Sequence, residues 1–313
     1  MATADLAHLI SLAREFRVQI IRMLTHAGSG HPGGSLSAID LLTALYFGGF
    51  LRYDPKNPWW PERDRFILSK GHCVPALYVV LGQIGYISEG ELLTLRKVGS
   101  RFQGHPYPGQ PGERFPGIEA ATGSLGQGLS IAIGMALAVR MDGRPSRVFC
   151  MLGDGECQAG QVWEAAMSAP RIGGGRYRLD NLCAIVDRNR IQNDDFVDKT
   201  LPLDPFAAKW EAFGWHVIEV GDGHDMGAIV KGLQSALEVT ERPVVLIAHT
   251  VKGKGVSFME NNPKWHGVAP KPAEGIQSIR EILGVREGDW LDYLRRTPKV
   301  AAIVEELQAL ETK

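Results

Sequence analysis

Four short runs in this sequence, RFILS (65–69), RVFCML (147–152), LCAIVD (182–187) and VVLIAHT (244–250), are apolar without alternating with polar residues. A strand with one face in water alternates, so runs like these must be covered on both faces. HVIEV (216–220) reads as a fifth strand, and helical patterns lie near 35–47, 75–85, 126–140, 160–169, 204–213 and 225–239. Strands separated by helices connect as parallel crossovers. The prediction is an α/β fold: a doubly wound, mostly parallel sheet with helices on both faces.

The first segment, MATADLAHLISLAREFRVQIIRML, carries Asp5, Arg14, Glu15 and Arg17 at helical spacing and predicts an amphipathic helix rather than a signal peptide. After WHGVAPKP the composition shifts. The expected division is therefore a domain over 1–270 and a tail over 271–313 of two helices, serving as a packing or interface arm. With 34 basic and 35 acidic residues, the net charge of −1 offers no field for a phosphate backbone, which argues against nucleic acid as a partner. No apolar run reaches the roughly 18 residues a membrane span needs. The four cysteines, Cys73, Cys150, Cys157 and Cys183, form no C-x-x-C pair, as expected of buried thiols in a reducing cytoplasm.

The stretch MLGDGECQAGQVWEAA (151–166) places Asp154 between two glycines where a buried strand ends. A carboxylate there is costly unless a cation meets it. The next strand, LCAIVD, leads to Asn189 and Ile191, so neighbouring strand ends would offer a carboxylate, an amide oxygen and a backbone carbonyl. Hard oxygens with open positions suit Mg²⁺ carrying a diphosphate. The competing reading is that Asp154 caps a helix beginning near Gln158 and Asn189 sits in a simple turn. No G-x-x-x-x-G-K-[ST] is present, and no G-x-G-x-x-G joins a strand to a helix. ATGSLGQGLSIAIG (121–134) reads as a glycine turn feeding a helix whose N-terminus favours anions.

Histidines recur in glycine- or proline-rich surroundings: His31 in GSGHPGGSL, His72 in LSKGHCVPAL, His105 in RFQGHPYPG and His266 in NPKWHGVAP. Such settings project an imidazole into a cleft. No H-x-x-x-H or H-E-x-x-H spacing supports zinc, and proton transfer or binding of hydroxyl and phosphate oxygens fits better.

Taken together, GDG with a downstream Asn, GHPGG, SKGH, ATGSLGQG and WHG resemble the N-terminal, diphosphate-binding half of transketolase, from about residue 10 to 270. DNLCAIVDRN and TVKGKG are similar to split transketolases, in which this half forms a chain of its own, the A subunit. The resemblance implies a thiamine-diphosphate-binding fold of the PP type, with thiamine diphosphate and Mg²⁺ as cofactors. It implies that Asp154, Asn189 and the Ile191 carbonyl ligate the metal, that His72, His266 and Gly155 contact the diphosphate, and that Gly123, Ser124 and Leu125 line the thiamine. His31 and His105 would face the sugar hydroxyls, and the four histidines would form the catalytic set. The implied reaction moves a two-carbon ketol unit from a ketose phosphate to an aldose phosphate, or the same chemistry on an unusual sugar in a dedicated pathway.

Three departures stand out. Asp154 and Asn189 are 35 positions apart, with GGGRYR inserted and expected to bulge outward. Ala159 stands where relatives often have an acid, although Glu164 is kept, and IQNDD replaces a turn that usually ends in glycine. A full transketolase chain is about twice as long. The missing half holds the cofactor's pyrimidine and the activating glutamate, so the resemblance implies a partner, the B subunit, in an α₂β₂ assembly.

Overall fold

The computed structural model describes residues 5–110, 112–172 and 178–311. In chain order the elements are α1 (Leu6–Ala27), α2 (Pro32–Phe47), β1 (Arg65–Leu68), α3 (Val74–Ile84), α4 (Glu89–Leu92), α5 (Gln127–Met141), β2 (Val148–Gly153) and α6 (Gly160–Ser168). They continue with β3 (Leu182–Arg188), α7 (Val197–Thr200), α8 (Phe206–Phe213), β4 (His216–Val220), α9 (Met226–Glu238), β5 (Val244–His249), α10 (Pro272–Ile282), α11 (Trp290–Arg296) and α12 (Pro298–Gln308). The strands form one sheet in the order β1-β2-β3-β5-β4, and every registered pair is parallel. The expected α/β fold is the observed one. GGGRY (173–177) lies outside the described residues.

The non-alternating strands are covered as their composition demands. Phe149, Met151, Cys183, Ile185, Leu246 and Ala248 enter one core with residues of α1, α2, α3 and α9. Their neighbours Val148, Cys150, Leu152, Ala184, Val186, Val245 and Ile247 enter a second core with α5, α6 and α8. Each fully buried Val, Leu or Ile stabilises the fold by roughly 1.5–3 kcal/mol, so both layers are needed to offset chain entropy. The connections through α5, α6 and α8 stay on one face as the chain steps from β1 to β4. The step back from β4 to β5 puts α9 on the other face, as right-handed crossovers of opposite direction require.

Two expectations change. Arg17 does not lie on a solvent face of α1. It is 9% exposed and donates to Asp40 of α2 at 2.5 and 3.0 Å. From Phe16 to Thr25 the helix is packed nearly all round, because α2, α3, α9 and α10 also lean on it, whereas Arg14 and Glu15 stay exposed as expected of an amphipathic helix. Among the described residues the tail, 271–311, contains three α-helices, α10 to α12, rather than two; Thr297-Pro298 separates the last pair, since a residue before proline avoids the helical region. Ile279 and Ile282 of α10 and Ile303 and Leu307 of α12 join the core that contains α1.

Asp40 also accepts from His224 Nδ1 at 2.7 Å. Burial opposes its charge, but Arg17 and His224 hold its carboxyl below the ordinary value of 3.8. A depressed folded-state value contributes stability that is full above about pH 4 and is lost as pH falls through it. Urea unfolding followed from about pH 6 to about pH 2 should therefore show an acid-dependent loss that shrinks in Arg17→Met. An unchanged slope in the variant would assign that loss to other carboxylates.

Candidate active site

The carboxyl ends of β1, β2, β3 and β5 meet along one edge of the sheet, where parallel α/β folds place ligands. His72 follows β1 in a single 3-10 turn, Gly71–Cys73. Asp154 follows β2, and Asn189 follows β3. Lys252 follows β5, and His266 ends the 3-10 turn Pro263–Trp265. A cavity of about 270 Å³ is lined by His31, His72, His105, Gly123, Leu125, Asp154, Gly155, Asn189, Ile191 and His266, among others. Ser124 instead lines an adjoining groove that runs past Gln103–Tyr107.

His31 is the last loop residue before α2, which begins at Pro32, three residues earlier than expected. Proline suits the first helical position because its missing N–H would have no partner there. The two glycines after it serve close packing: a Cβ at Gly34 would lie 2.6 Å from Cys73 Sγ, and one at Gly33 2.9 Å from the Trp265 carbonyl oxygen. Their small size brings His31 to a ring-centroid distance of 5.1 Å from His72, 5.4 Å from His266 and 6.3 Å from His105. His72 and His266 are 5.0 Å apart. Burial lowers His31 to about 4, with Arg96 adding to the effect, and lowers His266 to about 3, with Lys252 adding. His72 falls well below 6.5 through burial and Lys70, and His105 is lowered by burial and Arg96. All four imidazoles are thus neutral at neutral pH, available to oxygen ligands as donors or acceptors.

Asp154 is 2% exposed. Its Oδ1 accepts from the Gly155 amide at 2.8 Å, capping the 3-10 turn Gly155–Gln158 rather than the helix that follows, which begins at Gly160 after Ala159, and its Oδ2 accepts from the Arg190 amide at 2.6 Å. This second bond ties the β2 end to the β3 end immediately beside Asn189. Asn189 Oδ1 accepts from the Ile191 amide at 3.1 Å, and the Ile191 carbonyl accepts from Lys252 Nζ at 2.9 Å. Each of these oxygens has two lone-pair directions and uses one, so a divalent cation fits the set. Burial, then the nearby Asp187, raises the Asp154 carboxyl to about 6 even though two amides favour its charge. A buried carboxylate in that state is improved by a cation. Beyond Ile191, the glycine-free segment closes through an antiparallel bridge from Ile191 to Phe196, with Arg190 in the left-handed region at φ 62°.

The sequence reading did not single out the groups that support this set. Lys70 and Asp187, 1% and 0% exposed, form an ion pair beneath the cavity. Asp187 also accepts from Ser37 Oγ at 2.6 Å, Asn189 Nδ2 at 3.2 Å and Thr250 Oγ1. Burial acts against both charges, but each partner stabilises the other: Asp187 is held below the usual carboxylate range and Lys70 above the usual lysine value. Burial and Lys70 lower Lys252 to about 8. Glu156 accepts from the Gly126 and Gly153 amides at 2.8 and 3.1 Å and from Ser69, fixing the turn into α5. The visible signal was a charged residue inside an otherwise apolar strand end, Asp187 in LCAIVD, and the lysines of SKGH and TVKGKG.

A buried carboxylate and an amide on adjacent strand tips, a glycine turn and a ring of neutral imidazoles thus share one cavity at the carboxyl edge of the sheet. The sequence profile described as transketolase, thiamine diphosphate binding domain, matches residues 9–291. The chain belongs to the transketolase family. It is 42% identical over 266 residues to the A subunit of the apulose-4-phosphate transketolase of Phocaeicola vulgatus, covering 85% of this chain and 90% of that one. It is 45% identical over 264 residues to the 6-deoxy-6-sulfo-D-fructose transketolase subunit SqwG of a Clostridium species, covering 84% and 91%. Its structure superposes on transketolase from Leishmania mexicana with a TM-score of 0.79 at 28% identity over 97% of this chain. It spans 46% of that solved chain.

Proposed function

We propose that this chain is one half of a two-chain transketolase, its A subunit, in which it anchors thiamine diphosphate through Mg²⁺ and a B subunit completes the reactive centre in an α₂β₂ assembly. The observation that carries the reading is the tie between Asp154 and the Asn189–Ile191 turn, which gathers three oxygen donors beside four imidazoles. Asp154, Asn189 and the Ile191 carbonyl would hold the metal. His72, His266 and the Gly155 amide would bind the diphosphate, with Gly123, Ser124 and Leu125 against the thiamine. His31 and His105 would meet the sugar at the mouth, holding its hydroxyls and moving protons there. When bound, the cofactor supplies the group that carries the two-carbon unit; the chain's residues orient it and keep water out.

Two of the relatives are named as single subunits of a transketolase and match most of this chain's length, which supports a separate partner. Their named substrates, apulose 4-phosphate and 6-deoxy-6-sulfo-D-fructose, favour a second reading in which the donor is an unusual sugar of a dedicated pathway. Ala159 and the glycine-free turn after Ile191 agree with a specialised site. The described cysteines are all buried free thiols, and no described helix is long and apolar enough to cross a membrane, which supports a cytoplasmic enzyme. The test is reconstitution. The purified chain with Mg²⁺ and thiamine diphosphate should transfer no ketol unit, and adding a polypeptide with the pyrimidine-binding half should produce turnover. Robust activity of the chain alone would refute the two-chain reading, and a panel of ketose donors would separate the two substrate classes.

A further inference from the structure

Lys252 is a buried ammonium, 2% exposed, that donates to the Ile191 carbonyl at 2.9 Å and contacts His266 Nδ1 at 2.6 Å. An ammonium has donors and no acceptor, so Nδ1 must be the acceptor, and a neutral imidazole that accepts at Nδ1 carries its hydrogen on Nε2. Among the described residues Nε2 has no protein partner, while the ring lines the cavity. The position of Lys252 is itself secured. The preceding amide, Val251 N–H, donates to His224 Nε2 at 2.8 Å, and His224 Nδ1 lies 2.7 Å from Asp40, which Arg17 holds. By the same bookkeeping His224 carries its hydrogen on Nδ1, the opposite tautomer.

We infer that Lys252 is a positioning residue that locks His266 in the Nε2–H tautomer, so that this imidazole presents a hydrogen-bond donor to the cavity rather than a proton acceptor. His266 therefore offers a hydrogen to an anionic or carbonyl oxygen and does not serve there as a general base. The tautomer follows from the geometry of this chain, whereas its use on a cofactor or sugar oxygen rests on the function proposed above.

Long-range proton–nitrogen correlation spectra of the full chain labelled with [¹⁵N]histidine read the tautomer directly, with His266→Gln and His224→Gln spectra giving the assignments. The wild-type chain should show His266 as Nε2–H and His224 as Nδ1–H. Lys252→Met should abolish the single-tautomer pattern of His266 while leaving that of His224 intact, and Lys252→Arg, which keeps a cationic donor, should restore it. An Nδ1–H pattern for His266 in the wild type overturns the inference, as does a His266 pattern untouched by Lys252→Met. Should the methionine variant lose the His224 signature, and with it the fold, the wild-type spectrum alone decides. No activity is measured, so failure of the reconstituted enzyme would bear on the function and not on this assignment.

Discussion

Lys70→Met is expected to destabilise the chain by about 3–5 kcal/mol, the usual cost of leaving one buried charge without its partner. The side chains of Lys70 and Asp187 are 2% and 0% exposed, so water cannot replace the missing ammonium. Lys70 Nζ also donates to the Gly34 carbonyl at 3.2 Å, so the loss would loosen the start of α2 where His31 stands. Adding Asp187→Asn should recover most of the stability, because the amide oxygen can still accept from Ser37 and the amide NH₂ can donate to the Thr250 hydroxyl, while the uncompensated charge is gone. Urea unfolding of the single and double variants measures both quantities. A single-variant loss below about 1 kcal/mol would place the pair in the class of water-screened surface bridges and contradict its burial.

The second large effect concerns Asp154, where stability and binding should move in opposite directions. In the metal-free chain its carboxyl is raised from 3.8 to about 6, so folding is weakened as pH rises through that interval and stays weakened above it. Two pH units correspond to roughly 3 kcal/mol. Asp154→Asn removes that penalty, but turns an amide NH₂ toward one of the two backbone N–H donors, which costs about 1–3 kcal/mol. The net expectation is a metal-free chain more stable by up to about 2 kcal/mol at neutral pH, with no gain below about pH 4, measured in chelator. Calorimetric titration of the assembled complex should show cofactor binding weakened at least about a hundredfold, since losing even an outer partner of a metal ligand costs 10–100-fold. A destabilised variant that still binds the cofactor with Mg²⁺ would remove Asp154 from the metal role.

The strands and long helices were legible because burial on both faces leaves a direct mark on composition: the unbroken apolar runs 148–152 of β2, 182–186 of β3 and 244–248 of β5 admit no other placement. Asp154 and the four histidines were legible because glycines and prolines beside a polar residue mark a turning point of the chain, and Asn189 because it directly follows a buried strand. Lys70 and Lys252 were not. A lysine in a sequence defaults to solvent, and only the arrival of Asp187 and of the Ile191 carbonyl from other strands makes its burial affordable. Arg17 was misplaced for the same reason, since its partner Asp40 lies 23 residues away on another helix.

By itself, then, the sequence determined the layers, the strand ends and most of the polar residues that line the cavity there, because patterning and backbone propensity act over neighbouring positions. The tertiary structure alone decided which charges neutralise one another, how Gly33 and Gly34 let four imidazoles converge, and which nitrogen of His266 carries its hydrogen. Those outcomes depend on electrostatic and steric contacts between groups far apart in the chain, where a few ångströms separate a stabilising partner from none.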